Sequence, residues 1–317
     1  MDDKHSKNHF NISNSEFNKI GLIFSVFPGF LDPLNDYGFK IAEGMRKVSK
    51  IKRAIRKLHY KSHLPGFQYW FSKELNQLQN CNIIIIFTNQ FTFEILKYLK
   101  KKYPTKKYIM WFWNPISKSI NPNYLNKFPD VVKCSFDPND SKQYNLKFVE
   151  TFTLLQPSTQ NIQIQPKHDI YFVGQDKGRL PLIKKLQEVF YNMHLTTLFQ
   201  VIKDKNSGSE EFNYSNYVPY TEIIKNIHES NCILDVVQKD QYGLTQRVFE
   251  SYVFNKILIT NSKSIINSQI YDPNRIFILD HDDINTLPKM IKAQRPDIDK
   301  DVLAYYSVES WINRLLN

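Results

Sequence analysis

The chain has 317 residues, 42% of them hydrophobic, which is enough for two domains that each bury a core. Its formal net charge of +11 favours an anionic partner, such as nucleic acid, a membrane surface or a phosphorylated substrate. Three widely spaced cysteines without a Cys/His cluster argue against a zinc site or a disulfide framework and favour a cytoplasmic setting. No apolar run of about 18 residues is present, which argues against a membrane span.

The first half of the chain alternates strand patterns with helix patterns. Residues 1–18 are polar and lack the apolar core of a signal peptide, so we expect a disordered lead-in. The apolar run at 19–27 predicts the first strand, and the spacing at 39–48 predicts a helix. Residues 159–167 are polar, contain a proline and have no core residues, which indicates a linker between domains at 19–158 and 168–317.

The stretch from 231 to 261 is the most informative part of the second half. It contains a short apolar run, a polar loop at 238–243, a helical pattern and a second apolar run. A strand, a helix and a strand with short links indicate a right-handed crossover in a parallel sheet. The whole pattern predicts an α/β chain with two Rossmann-like domains facing a cleft and a C-terminal helix. Ligands of such sheets bind at the carboxyl ends of the strands, where this loop is expected to lie.

A second candidate loop is the sequence GQDKGR, which follows one predicted strand and precedes a helix. Gly174 and Gly178 permit a tight turn and a close approach of the backbone to a ligand. Lys177 and Arg179 place cations beside a helix N-terminus, which itself favours phosphate. The sequence matches neither GxGxxG nor a Walker motif. An ordinary turn with solvated charges remains the alternative.

The loop and helix of the 231–261 stretch carry four further candidates. Gly243 allows a turn, and Thr245 can cap the helix or hydrogen-bond a phosphate. Arg247 can bind phosphate through two hydrogen bonds, and Glu250 can accept hydrogen bonds from ribose hydroxyls. Alternatively, Arg247 and Glu250 simply pair with each other on a helix surface. Two loops of this kind at one sheet edge fit a single diphosphate ligand.

The C-terminal half resembles the donor domain of GT-B-fold glycosyltransferases, especially bacterial enzymes that build lipopolysaccharide and other surface glycans. The matching segments are 169–179, 218–237 and 242–261, and the most specific match is Arg-x-Phe-Glu at 247–250. The resemblance implies that Glu250 contacts the ribose of a nucleotide-sugar donor, while Lys177, Arg179 and Arg247 contact its diphosphate. Many retaining members carry two glutamates eight positions apart. Tyr242 occupies the earlier position here, so retention and inversion both stay open.

The resemblance gives the first half the role of binding the acceptor. Asp32 and Asp36, in the loop after the first strand, are candidates for a general base that deprotonates an acceptor hydroxyl. The alternative for both is turn chemistry, because aspartate is common beside proline and glycine in loops. His59 and His63 are further candidates for this role.

A strongly basic segment spans residues 46–61. It can form a solvated helix face, contact anionic lipid, or attract a phosphorylated glycolipid acceptor. Nucleic-acid binding also fits the charge, but no RNP, KH or zinc-finger signature accompanies it. Its cations are Arg46, Lys47, Lys50, Lys52, Arg53, Arg56, Lys57 and Lys61.

We therefore expect a glycosyltransferase that moves a hexosyl group from a nucleotide-sugar donor to a lipopolysaccharide core or another surface glycan. The cations would neutralise the donor diphosphate, so neither a metal nor another cofactor is expected. Asp280 and Asp282, in an Asp-His-Asp sequence, are interpreted as the start of a helix. The expected location is the cytoplasm, with peripheral contact at the inner face of the bacterial inner membrane. The alternative is a non-catalytic basic protein that binds nucleic acid or an anionic membrane surface.

Overall fold

A computed structural model describes residues 14–157, 165–204, 207–208 and 212–317. The chain forms two compact units. The first unit comprises Met1–Leu154 together with Ser307–Asn317, and the second unit comprises Leu155–Tyr306. Each contains one parallel sheet with flanking helices, so the predicted α/β class with two Rossmann-like sheets is confirmed. Most of the predicted lead-in and most of the predicted linker lie outside the described residues.

The regular elements are named here in chain order. The strands are β1 (Ile20–Phe24), β2 (Lys40–Glu43), β3 (Ile83–Phe87), β4 (Lys107–Phe112), β5 (Val132–Ser135), β6 (Lys147–Phe148), β7 (His168–Gln175), β8 (Thr197–Ile202), β9 (Ser230–Asp235), β10 (Ile257–Thr260) and β11 (Ile276–Ile278). The α-helices are α1 (Asn14–Phe17), α2 (Lys50–Ser62), α3 (Thr92–Lys102), α4 (Ile116–Ser119), α5 (Pro138–Tyr144), α6 (Leu180–Asn192), α7 (Tyr220–His228), α8 (Gln246–Val253), α9 (Leu287–Lys292), α10 (Lys300–Tyr305) and α11 (Val308–Leu316). Segments of 3₁₀ helix cover Gly29–Tyr37, Phe67–Trp70, Lys73–Asn80, Pro122–Lys127, Lys263–Asn267 and Ile284–Thr286.

The sheet of the first unit has the strand order β2-β1-β3-β4-β5-β6, and all of its pairs are parallel. Its central strand β3 is apolar at every position because both faces of the sheet are covered. Ile84 and Ile86 pack into one hydrophobic cluster, while the alternate residues Ile85 and Phe87 pack into another. The core of this unit therefore lies on both sides of the sheet.

The helix expected at 39–48 is wrong, because part of that segment is strand β2, which pairs with β1. The loop expected before it is mostly a 3₁₀ helix that ends at Gly38, whose φ of 87° suits glycine. Gly44 ends the strand where there is no room for a side chain: a Cβ there would lie 2.6 Å from Ile95 Cδ1. Tertiary pairing thus overrides the local helical spacing.

The sheet of the second unit has the order β11-β10-β9-β7-β8, again with parallel pairs only. The unit predicted from 231–261 is confirmed: β9 and β10 are parallel neighbours, and α8 connects them. This places the turn after β7 and the loop after β9 at the same, carboxyl edge of the sheet.

The C-terminal helix α11 belongs to the first unit, whereas the sequence assigned all of 168–317 to the second domain. The reason is its apolar face, which carries the fully buried Trp311. The Trp311 ring lies 4.3 Å from the ring of Phe152 and 5.0 Å from that of Trp111, measured between centroids. At the other end of the chain, Phe17 of the expected disordered lead-in is buried 4.8 Å from the ring of Phe39.

Three further features concern the residues that the structure describes. None of their helices combines the length and the hydrophobicity that a membrane span requires. None of their His, Cys, Asp and Glu side chains form a group of three or more that could hold a metal ion. The three cysteines, Cys81, Cys134 and Cys232, are free thiols and all are buried.

Replacing Trp311 with alanine should destabilise the first unit by about 3–5 kcal/mol, because a large buried ring is lost and a cavity remains. Urea denaturation followed by circular dichroism measures this change. Glu309→Gln, at an exposed position of the same helix, is the matched control and should change the free energy of unfolding by less than about 0.5 kcal/mol. Equal effects of the two substitutions would contradict the assignment of α11 to this core.

Candidate functional site

The candidate site is a pocket at the carboxyl edge of the sheet in the second unit. The turn after β7, the end of β9 and the start of α8 surround a cavity of about 200 Å³. Its polar lining comprises Arg179, Asp235, Gln238, Gln241, Thr245, Gln246 and Arg247. Two arginines therefore meet in one pocket, as expected if both loops serve one anionic ligand.

The GQDKGR turn is built around Asp176, which is buried. Its Oδ1 accepts hydrogen bonds from the N–H groups of Gly178 and Leu180, and its Oδ2 accepts one from the hydroxyl of Tyr214. Gly178 has a φ of 79°, which only glycine adopts without strain. Asp176 thus accepts hydrogen bonds from N–H groups near the start of α6 that the sequence analysis proposed as donors to a phosphate.

Arg179 connects the turn after β7 with the end of β9. Its Nε donates to the carbonyl of Asp176 at 3.2 Å, and its two terminal nitrogens donate to the carbonyls of Gln175 and Val236. Burial lowers the pKa of the guanidinium, although Asp235 and Asp176 counteract this. Because Gly174 has no side chain, the guanidinium fits beside it. A Cβ at this position would lie 2.9 Å from Arg179 Nη2.

The start of α8 is linked to the end of β9 through Thr245. The Thr245 hydroxyl donates to Asp235 Oδ2 at 2.9 Å and accepts from the N–H of Arg247 at 3.2 Å, which caps the helix. Asp235 is 4% exposed, and burial raises its pKa to about 6 despite the hydrogen bond from Thr245 and the two arginines. A buried carboxyl group therefore lies beside the cations of the pocket.

Arg247 and Glu250 form an ion pair with each other, as the alternative interpretation of the sequence proposed. The pair does not lie on the helix surface, however. The Glu250 side chain is fully buried, and Arg247 is 19% exposed. The Arg247 guanidinium donates to Glu250 Oε2, whereas Oε1 has no hydrogen bond within normal distance among the described residues. Burial raises the pKa of Glu250 to about 7, although Arg247 and the nearby phenol of Tyr220 oppose this rise.

The structure brings together most of the residues that the sequence proposed for the donor. Arg179, Thr245 and Arg247 line the pocket. Lys177 is exposed on the turn with a φ of 47°, and Gly243 is buried in the loop before α8. Sequence reasoning missed two residues of this region, Asp235 and Tyr220. The signal for Asp235 was available, since it is the one acidic residue in the apolar run of β9.

The proposed bases lie in the first unit. Asp32 and Asp36 are both exposed on the 3₁₀ helix after β1. A third carboxylate that the sequence did not suggest is Glu43, which is buried at the end of β2. Its Oε1 accepts from the N–H of Phe27 at 3.2 Å and lies 3.3 Å from Lys47 Nζ. Of these three carboxylates, Glu43 lies at the carboxyl end of a strand, and the two aspartates lie on the connection from β1 to β2.

Comparisons with known proteins give only distant structural likenesses. No protein-family model and no curated protein matches it. Similar solved structures include AviGT4, a glycosyltransferase of avilamycin A biosynthesis (10% identity, 94% of this chain and 95% of that chain, TM-score 0.49). They also include a protein of Listeria monocytogenes described as a UDP-N-acetylglucosamine 2-epimerase (10%, 94% and 94%, TM-score 0.45) and an α1,3-fucosyltransferase with GDP (9%, 94% and 81%, TM-score 0.39). At these identities and TM-scores, the likenesses do not decide the function.

The raised pKa of Glu250 gives stability a specific pH dependence. Because the folded-state pKa of about 7 exceeds the ordinary value of 4.5, folding binds a proton, and the resulting stabilisation is complete below pH 4.5. It disappears as the pH rises through about 7. Relative to Glu250→Gln, the wild-type protein should therefore lose about 1–3 kcal/mol of unfolding free energy between pH 4.5 and pH 7.5.

Urea denaturation at a series of pH values measures this difference. Glu188→Gln, on the exposed face of α6, is the control and should follow the wild-type curve at every pH. A difference between wild type and Glu250→Gln that stays constant across the series would show that the pKa of Glu250 is not raised.

Proposed function

We propose that this protein is a glycosyltransferase that moves a sugar from a nucleotide-sugar donor to a surface-glycan acceptor. The observation that carries the proposal is the pocket at the carboxyl edge of the second unit, where Arg179 and Arg247 meet beside the buried Glu250. This pocket is built by the same segments whose sequence resembles GT-B donor domains. A cationic pocket at strand ends suits a diphosphate, and a neighbouring carboxylate suits a ribose.

Arg247 and Lys177 are the residues that we assign to the donor diphosphate. The Arg247 side chain contacts Glu250 and remains partly exposed. Arg179 holds three backbone carbonyls through its side chain, so its main role is to fix the shape of the pocket while adding positive charge. We assign Thr245 and Gly243 to shaping the loop before α8.

Glu250 is the residue that we assign to the donor ribose. Its carboxylate oxygens are hydrogen-bond acceptors, and Oε1 is the oxygen that Arg247 does not contact, so we assign Oε1 to a ribose hydroxyl. Movement of Arg247 towards the diphosphate would also release Oε2. Binding of the donor would then replace the internal ion pair by two contacts to one ligand, which couples recognition of the diphosphate to recognition of the ribose.

We assign acceptor binding to the first unit and the general base to Asp32 or Asp36. The base would remove the proton of an acceptor hydroxyl, whose oxygen attacks the anomeric carbon while the nucleoside diphosphate leaves. This description applies to an inverting reaction. A lipopolysaccharide core or another surface glycan is the acceptor that the family resemblance favours.

Nucleotide binding provides the first test. The melting temperature should rise with one of the nucleoside diphosphates UDP, GDP and dTDP, because ligand binding stabilises the folded state. Arg247→Ala should weaken binding of that nucleotide about tenfold or more through loss of a charge-assisted hydrogen bond. Lys185→Ala, which removes an exposed cation from α6, is the control and should leave binding unchanged.

Two outcomes would contradict the donor proposal. If none of the nucleotides raises the melting temperature while DNA or RNA binds in a salt-sensitive way, the non-catalytic alternative is favoured. If Glu250→Ala binds the nucleotide as tightly as the wild-type protein, Glu250 has no role in contacting the ribose.

The base assignment predicts a separate effect on turnover. One of Asp32→Asn and Asp36→Asn should lower kcat about 100- to 10,000-fold without changing nucleotide affinity. Product formation can be followed by mass spectrometry with a panel of sugar nucleotides and glycan acceptors. Full activity in both variants would exclude both residues, and the same assay on Glu43→Gln would then test the buried carboxylate of this edge.

A further inference from the structure

The helix α2 of the first unit presents its apolar side to solvent instead of to the core. Ile51, Ile55 and Leu58 recur every three to four residues along one side, and they are 76%, 51% and 69% exposed. Leu64, just after the helix, is 61% exposed. We call these four residues the apolar ridge. No residue of α2 is buried, which is the reverse of the usual arrangement for an amphipathic helix.

Other side chains of α2 attach the helix to its unit. Trp70 Nε1 donates to His59 Nδ1 at 2.9 Å, which leaves the imidazole proton on Nε2, next to the carbonyls of Leu64 and Pro65 at 3.1 Å. Arg56 donates to the carbonyl of Arg46 at 3.1 Å. The apolar ridge is therefore held outward by hydrogen bonds from other positions of the helix.

The charge around the apolar ridge has a single sign. Between Glu43 and Glu74 the sequence contains no acidic residue. On the helix, Lys50, Lys57 and Lys61 flank the ridge, and none of them has an ion-pair partner among the described residues. An apolar strip bordered by unpaired cations is complementary to one type of surface, a bilayer with anionic headgroups.

We propose that α2 docks onto anionic lipid and that the apolar ridge enters the boundary between headgroups and acyl chains. The lysines contact the headgroups, and Ile51, Ile55 and Leu58 transfer from water to the hydrocarbon edge. The inference differs from a purely electrostatic attraction of the basic segment, because the aliphatic side chains supply part of the affinity. It does not rest on the transferase proposal and holds for a bilayer without any nucleotide present.

Vesicle sedimentation tests the proposal. The wild-type protein should sediment with vesicles of phosphatidylcholine and phosphatidylglycerol, and much less with phosphatidylcholine alone. The triple variant Ile51→Ser/Ile55→Ser/Leu58→Ser keeps every charge, and its partition to the anionic vesicles should fall about tenfold or more. Tyr191→Ser, which removes a 77% exposed ring from α6 in the second unit, is the control and should partition like the wild type.

Three outcomes of this experiment overturn the proposal. The wild-type protein fails to sediment with anionic vesicles, or the triple variant sediments as well as the wild type. In the third outcome, light scattering shows self-association of the wild type that the triple variant lacks, without vesicle binding. The apolar ridge is then a contact between two copies of this chain.

A spectroscopic measurement tests insertion directly. The three native cysteines are 1% exposed or less, so a thiol dye will label an introduced cysteine selectively. A polarity-sensitive dye at Leu58→Cys should shift its emission to shorter wavelength on addition of anionic vesicles, while the same dye at Tyr191→Cys should not. An unshifted spectrum at Leu58→Cys in vesicle-bound protein overturns the insertion of the ridge.

Discussion

The hydrogen bonds of Arg179 to three backbone carbonyls are the interaction on which the candidate site depends. They join the turn after β7 to the end of β9, two segments about 60 residues apart in the chain whose strands are neighbours in the sheet. Removing the side chain would take the donor from the carbonyl of the buried Val236, a loss that costs about 1–3 kcal/mol. A parallel sheet places strand ends side by side, but a specific contact is needed to hold their loops in one shape. Arg179 provides that contact, and Gly174 provides the space for it.

The two buried carboxyl groups of the site, Asp235 and Glu250, respond to burial in the same way. Asp235 and Glu250 both have raised pKa values because burial disfavours their charged forms, while the arginines oppose the effect. An anionic ligand on Arg247 would weaken that opposition and favour proton uptake by these groups.

Local patterns in the sequence predicted much of this structure, and tertiary contacts account for what they missed. The β9–α8–β10 crossover was readable because its apolar runs and helical spacing agree with the observed elements. The strand at Lys40–Glu43 was not predicted, because the apolar residues around it recur at helical spacing. The strand is only four residues long, and the glycine that follows it, Gly44, lies close to Ile95. The pairing of Arg247 with Glu250 followed from the i,i+3 spacing, but their burial depends on the surrounding unit. The hydrogen bond from the N–H of Leu180 to Asp176 and the space that Gly174 leaves for Arg179 could not be predicted from the sequence, because both depend on side-chain geometry.

The return of the chain to the first unit at Ser307 has a consequence for biosynthesis. Trp311 completes a core whose other rings, Trp111 and Phe152, leave the ribosome roughly 160 to 200 residues earlier. The core of the first unit therefore stays incomplete, with apolar side chains exposed, until Trp311 is synthesised. The second unit is continuous from Leu155 to Tyr306 and can fold before then. Long-range closure of this kind slows folding and exposes the nascent chain to aggregation. A chaperone that covers exposed apolar surface would therefore protect the N-terminal half of this protein most from aggregation.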